Sequence, residues 1–277
     1  MTIKITAVQR IQEVSALLSI PDSRIIAGGT GLDKNTEGSL HLVDISALEG
    51  LDSIKQKGSR IEIGPLTRLQ ELADSTLIQT GFPALTEAVK AIEDPEVIFR
   101  ATLGGALASA RISDISAALL ASGAKLTIKT ESDYREILID RFWSQTGTPD
   151  LQYDEWITRI TLQIPKEAKS GAAFGKIGVW GHPSEPNAAA AIRLGLDGNG
   201  KITAIRGGLR LGTAQIRRMF PLEKALKNQK PEPEIIDKAV RSMTSAAQSF
   251  PDEGSFTALL TGVLHRALTC AEERRTI

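Results

Sequence analysis

ATLGGALASARISDISAALLASGAKLTIKT, residues 101–130, holds the features on which the fold turns. It opens on a small, glycine-rich run and passes into DISAALLASG, where Asp114 can cap a short helix that Gly123 ends. It closes on KLTIKT, whose alternation predicts a strand. Working toward the N-terminus, Pro83–Ile92 and Leu69–Ser75 carry apolar residues at three- and four-residue intervals and predict amphipathic helices, with Pro83 suited to a first turn. Beyond RIEIGPLT lie two strands, HLVDIS at 41–46 and RIIAGGT at 24–30, the latter running straight into a Gly-Gly turn.

Toward the C-terminus, EILIDRF reads as a strand, and from about Asp154 the pattern is mostly strand: WITRITLQIP, AAFGKIGVW, AAAAIRLGLD and KITAIRGGLRLG. The Asp-Gly-Asn-Gly turn at 197–200 predicts a hairpin between the last two. After the Lys/Pro-rich KNQKPEP, helical periodicity covers Pro233–Phe250 and Phe256–Glu273. The expected architecture is α+β. A first part, residues 1–167, divides into two subdomains near residue 50, and a second part, 168–277, is an antiparallel sheet of three or four strands with helices.

Composition removes several function classes. Thirty-three Lys plus Arg balance thirty-three Asp plus Glu, so nothing draws the chain to a phosphate backbone, and no nucleic-acid partner is expected. Cys270 is the only cysteine, which excludes an internal disulfide and any thiolate-ligated cluster held by this chain alone. His41, His182 and His265 lie far apart without metal-ligand spacing, so no metal site is expected; only His182 falls in a Gly/Pro-rich loop where a functional role is plausible. No secretory leader and no membrane-spanning stretch is read, and a cytoplasmic protein is the expectation.

Chemistry is expected from glycines more than from charged side chains. In Ala27–Thr30, the absence of Cβ atoms at Gly28 and Gly29 lets backbone amides converge on an anion such as a pyrophosphate, and Thr30 adds a hydroxyl. In Thr102–Ala110 a second Gly-Gly pair, with hydroxyls at Thr102 and Ser109, lets a flat, phosphate-bearing cofactor lie against the backbone. Either pair alone is equally an ordinary tight turn. Neither sits in a GxGxxG fingerprint or a GxxxxGK[ST] loop.

The order of these segments, AGGT, HLVDIS, IEIGPLTRLQEL, then FPALTEAVKAIEDPEVIFRATLGGALASARISDISAALLASGAKLTI, resembles the FAD-binding subunits of molybdenum hydroxylases, the family of xanthine dehydrogenase, aldehyde oxidase and bacterial carbon monoxide dehydrogenase. The resemblance continues through DEWITRITLQIP and FGKIG and covers nearly the whole chain. It implies the two-subdomain flavin fold of the vanillyl-alcohol oxidase type, followed by a C-terminal α+β domain. It also implies cofactor contacts. Ala27, Gly28, Gly29, Thr30, Gly31 and Leu32 would hold the FAD pyrophosphate. Thr102, Leu103, Gly104, Gly105 and Ala106 form the second motif, with Asp114 an acceptor toward the sugar-like portion. Ile157 would pack near the isoalloxazine and Lys176 would lie close to the flavin. A cation there would favour reduced, anionic flavin; a solvated strand lysine is the alternative, as a helix N-cap is for Asp114. No side chain is assigned as a catalytic acid or base.

The sequence departs from the family's pattern at Ala106 and Phe99, where Asn is usual, in a shorter Gly31–Leu40 loop, and at WGHPSEPN, 180–187. The function implied is an oxidoreductase subunit that passes electrons between iron-sulfur clusters and an acceptor such as NAD. Its partners would be an iron-sulfur subunit with [2Fe-2S] clusters and a large subunit with the molybdenum cofactor. The alternative is a scaffold subunit of the same kind of complex with weak or lost FAD binding.

Overall fold

The computed structural model describes residues 2–31, 39–109, 114–144, 147–178, 187–212, 215–243, 250 and 252–273. Its first sheet is small and parallel, in the order β1-β3-β2, from β1 (Thr2–Ala7), β2 (Ser23–Ile26) and β3 (Ser39–Asp44). Helix α1 (Ile11–Leu18) joins β1 to β2 and buries Val14 and Leu18 in one cluster with Val43 and Ile45. His41, on the central strand, is buried and bridges the hydroxyls of Thr6 and Ser23, each at 2.8 Å, so it ties the three strands together. Neither β1 nor α1 is among the elements expected from the sequence: TIKITA is short and lacks a flanking turn signal.

The second sheet has five antiparallel strands in the order β4-β5-β8-β6-β7: β4 (Ile54–Lys57), β5 (Arg60–Ile63), β6 (Lys125–Lys129), β7 (Tyr134–Leu138) and β8 (Trp156–Gln163). Strand β8 lies between segments more than sixty residues apart in the chain, pairing Ile63 with Ile160 on one side and Leu126 with Ile160 on the other. Between β5 and β6 come six short helices: α2 (Leu69–Asp74), α3 (Thr76–Gly81), α4 (Pro83–Lys90), α5 (Pro95–Arg100), α6 (Leu103–Ala108) and α7 (Asp114–Ser122). Proline opens α4 and α5, and the Asp94 carboxylate caps α5 by accepting from the Glu96 N–H at 2.9 Å.

The third sheet is antiparallel in the order β12-β11-β10-β9, from β9 (Lys169–Ile177), β10 (Ala188–Leu196), β11 (Ile202–Leu211) and β12 (Gln215–Arg218). The expected hairpin at 197–200 joins β10 to β11. Among the described residues three helices follow, α8 (Phe220–Leu226), α9 (Pro233–Arg241) and α10 (Glu253–Glu273). The helix expected over 233–250 ends at Arg241, and residues 244–249 lie outside the described ones. This sheet is buried on both faces. Ala172, Phe174, Ala189 and Ala191 join the large cluster that holds the second sheet and α2–α7, while the alternate residues Ala173, Ala188, Ala190 and Ile192 pack with α8–α10. Small residues dominate because helices press from either side. On the outer face a Cβ at Gly171 would lie 2.1 Å from the Ala267 carbonyl oxygen of α10. The sheets separate near residue 167, but the inner core is continuous across that position.

Helix α7 is the hinge of this arrangement. Residues Ile115–Ser122 are all buried, the pattern of a helix covered on every side. Its middle rests on Gly208 of β11, where a Cβ would fall 2.1 Å from the Ala117 carbonyl oxygen. Arg206 and Arg210 flank Gly208 on the same strand face. Arg210 reaches Asp114 at the start of α7, and Arg206 donates from Nε to the Leu120 carbonyl near its end at 3.1 Å. Gly123, at φ +68°, then turns the chain into β6.

Candidate functional site

The first glycine motif follows β2 at the carboxyl edge of the parallel sheet, where open α/β sheets leave a crevice for ligands. Gly29 adopts φ +73°, a left-handed conformation that favours glycine. Gly28 is pressed against the end of α5: a Cβ there would lie 1.9 Å from the Arg100 carbonyl oxygen. The Arg100 guanidinium stands beside the turn, with Nη2 3.3 Å from where a Gly29 Cβ would be, and is ion-paired with Glu96. At the other end of the motif, a Cβ on Gly31 would be 4.0 Å from Ser109 Oγ. The strip Gly28–Gly31 therefore runs beside the strip Arg100–Ser109, so two motifs more than seventy residues apart in the chain share one place.

The second motif is built differently from what its glycines suggest. Thr102 caps α6, its Oγ1 accepting from the Gly105 N–H at 3.2 Å. The Leu103 N–H donates to Thr67 O at 2.9 Å, the Gly104 N–H to Pro65 O at 2.8 Å, and the Ala106 N–H to Thr102 O at 2.9 Å. Gly104 is buried against Pro65, whose Cβ and carbonyl oxygen would lie 2.7 and 2.9 Å from a Cβ at that position. Its glycine is thus a packing requirement, and these four amides are engaged within the fold. The motif still offers a flat backbone surface, because Gly105 and Ala108 are exposed and Ala106 is half-buried.

Asp114 is the first residue of α7, and its Oδ1 takes both Nε (2.9 Å) and Nη2 (2.6 Å) of Arg210. Its Oδ2 lies 3.8 Å from Lys176 Nζ. Lys176, on β9, is exposed, and its Nζ donates to the Ala91 carbonyl at 2.6 Å and to Glu93 at 3.1 Å. Together Asp114, Lys176 and Arg210 fasten the third sheet to α4 and α7. Ile157 is buried on β8, paired in register with Ile128, in the same cluster as Leu103 and Leu107 of the second motif. Ala27 and the Thr30 backbone lie in the turn, Thr30 exposed; Leu32 lies outside the described residues, as do His182 and residues 180–186 of WGHPSEPN.

Two site-proximal residues escape the sequence reading. Arg100 lacks a distinguishing neighbour pattern, and its role depends on α5 stopping where Gly28 meets it. Arg210 sits in RGGLRLG, where its period-two spacing from Arg206 is a signal that both point to one face. Arg210 is 7% exposed at its side chain and is satisfied by Asp114, Asn187 Oδ1 and Gly212 O.

A glycine turn at the carboxyl edge of a parallel sheet, left-handed at Gly29 and without room for a side chain at Gly28, and an arginine beside it fit a diphosphate-bearing cofactor. Among the described residues no group of three or more His, Cys, Asp or Glu could hold a metal ion, and no helix is long and apolar enough to cross a membrane. The class defined by this fold is a dinucleotide-cofactor domain. Residues 1–166 match the family described as the FAD binding domain in molybdopterin dehydrogenase, and the chain belongs to that family. It is 33% identical over 199 residues to the 6-hydroxypseudooxynicotine dehydrogenase complex subunit alpha of Paenarthrobacter nicotinovorans, covering 68% of this chain and 66% of that one. It is 30% identical over 162 residues to the carbon monoxide dehydrogenase medium chain of Hydrogenophaga pseudoflava, covering 56% of each. These matches thus span less than two thirds of the relatives' own lengths. A solved structure of carbon monoxide dehydrogenase from Hydrogenophaga pseudoflava, lacking the Mo-pyranopterin moiety, superposes with a TM-score of 0.86 at 25% identity over 99% of both chains. The fold expected from the resemblance is the fold observed.

Proposed function

We propose that this chain is the electron-transferring flavin subunit of a molybdenum hydroxylase complex. The observation that carries this reading is the meeting of Gly28–Gly31 with Arg100–Ser109 at the edge of the parallel sheet. FAD, when bound, supplies the conversion between single-electron transfer and two-electron reduction of an acceptor such as NAD. Ala27, Gly28, Gly29, Thr30, Gly31 and Leu32 would hold its pyrophosphate, and Arg100 would add positive charge beside it. Thr102, Leu103, Gly104, Gly105 and Ala106 supply a flat wall rather than donors. Asp114 Oδ2 accepts from the sugar-like portion, while Lys176 and Arg210 hold that carboxylate in place. Ile157, in the same buried cluster as Leu103 and Leu107, would pack near the isoalloxazine. The division at 167/168 separates the cofactor-holding part, with its subdomains meeting near residue 50, from a C-terminal part that carries the third sheet.

With one cysteine this chain holds no thiolate cluster by itself, so the [2Fe-2S] clusters and the molybdenum cofactor belong on an iron-sulfur subunit and a large molybdopterin-binding subunit. Purification with those partners should give the absorption bands of oxidised flavin. Their absence after reconstitution with FAD defeats the proposal. A scaffold subunit with lost FAD binding is the second reading, favoured by the engaged amides of Leu103, Gly104 and Gly105 and by Ala106. It predicts a melting temperature that does not respond to FAD.

A further inference from the structure

The antiparallel register of β10 and β11 sets Arg193 directly opposite Arg206. Facing side chains on such a pair start about 4.5–5.5 Å apart at Cβ, and like charges there repel. The charge of Arg206 is met, since its guanidinium pairs with Asp140 and donates to the Leu120 carbonyl. Arg193 has no such partner: among the described residues no carboxylate lies within ion-pair distance of it. Among the described residues its one hydrogen bond is a long 3.4 Å contact from Nη1 to the Gln163 carbonyl. Burial and the facing Arg206 both hold its pKa below the ordinary arginine value, with only Glu167 acting in the opposite sense.

Both arginines line a cavity of about 210 Å³, with Lys227 at the end of α8 as a third cation. Pro165, Thr203 and Glu167 complete its wall, so Glu167 is the one carboxylate in a lining that holds Arg193, Lys227 and the Asp140-paired Arg206. Glu167 lies over Gly195, where a Cβ would meet its Cγ at 2.3 Å, which places it to one side of the arginine pair. A half-buried guanidinium facing another is an unstable arrangement unless an anion neutralises it, and guanidinium groups suit the paired oxygens of phosphate. We propose that this cavity is an anion site for a phosphate group, free or carried on a small metabolite, held between Arg193 and Arg206 with Lys227 at its mouth. A cavity of this size suits a small molecule better than a protein surface. The site uses none of the residues assigned to the flavin.

The test is thermal unfolding of the full chain, saturated with FAD, in chloride buffer and in inorganic phosphate at matched ionic strength. Phosphate should raise the melting temperature beyond the chloride control. Arg193→Gln should abolish that rise while leaving stability in chloride equal or higher, because a repulsion has been removed. Lys227→Gln, at an exposed position, should weaken the apparent phosphate affinity severalfold without changing the chloride value. Glycerol phosphate acting at lower concentration than inorganic phosphate assigns the group to a metabolite; equal action assigns it to the free ion. No phosphate effect in the parent chain overturns the site. So does an effect that survives both substitutions, which would belong to the glycine nest, or a cavity that is filled only by an acidic side chain of a partner in the assembled complex.

Discussion

Replacing Gly28 with alanine should loosen the cofactor far more than it loosens the fold. The added Cβ would sit 1.9 Å from the Arg100 carbonyl oxygen, 2.8 Å from its carbon and 3.1 Å from the Ala101 Cα, all backbone atoms with no rotamer to escape into. Real contacts of this kind do not fall below 3.0 Å, so the turn and the end of α5 must part by about 1 Å. Such overpacking costs about 1–3 kcal/mol of stability. The same displacement misaims the amides of the turn, and losing one or two hydrogen bonds to a charged group at roughly 1.5–3 kcal/mol each weakens FAD binding by about 10-fold to well over 100-fold. Quenching of flavin fluorescence on titration into apoprotein measures the affinity, and thermal unfolding of the apoprotein measures the strain. Gly262→Ala is the control, because nothing lies within 4 Å of its Cβ and it stands outside the cradle. Gly28→Ala with an FAD affinity equal to that of Gly262→Ala would refute the nest geometry.

Four further outcomes are expected. Gly104→Ala should lower stability by about 1–3 kcal/mol through contact with Pro65, visible in denaturant unfolding, with its effect on FAD following from that strain alone. Arg210→Met leaves the Asp114 carboxylate without its main partner and should destabilise by about 3–5 kcal/mol, with Arg210→Lys only partly restoring the loss because the two-point contact is broken. FAD at a hundred times its Kd should stabilise the chain by about 2.7 kcal/mol, and a calorimetric scan without that shift favours the scaffold reading. Glu155 accepts from Arg135 and from the Gln152 N–H at 2.9 Å, and both interactions hold its carboxyl below the ordinary 4.5. Its contribution is therefore complete above pH 4.5 and is lost as pH falls through the lower folded value, so Glu155→Gln should flatten the acid limb of a stability profile measured by urea unfolding.

What could be read from the chain follows from where the determining interactions are local. The helices at Leu69, Pro83 and Asp114 announce themselves by spacing, proline and caps, and the β10–β11 hairpin by its Asp-Gly-Asn-Gly turn. Strand β1 and helix α1 escape because TIKITA gains its identity from pairing with β3, thirty-odd residues away. The second glycine motif is the instructive case. Its composition suggests backbone open to a flat cofactor, and the structure shows the carbonyls of Pro65 and Thr67, a remote segment, taking up its Leu103 and Gly104 amides. Lys176 likewise reads as a solvated or a flavin-facing lysine, and only the approach of α4 shows it tied to Ala91 and Glu93.

By itself the sequence determined the α+β class, the paired glycine motifs, the hairpin sheet and the absence of a cysteine set for any cluster, because each rests on residue type and short-range spacing. The tertiary structure decided that Gly28 meets Arg100, that Gly104 packs instead of binding, and that Arg193 faces Arg206 across a cavity. Those are contacts between segments tens of residues apart, set by the way β8 and α7 draw the sheets together, and no local pattern encodes the distance between two remote atoms.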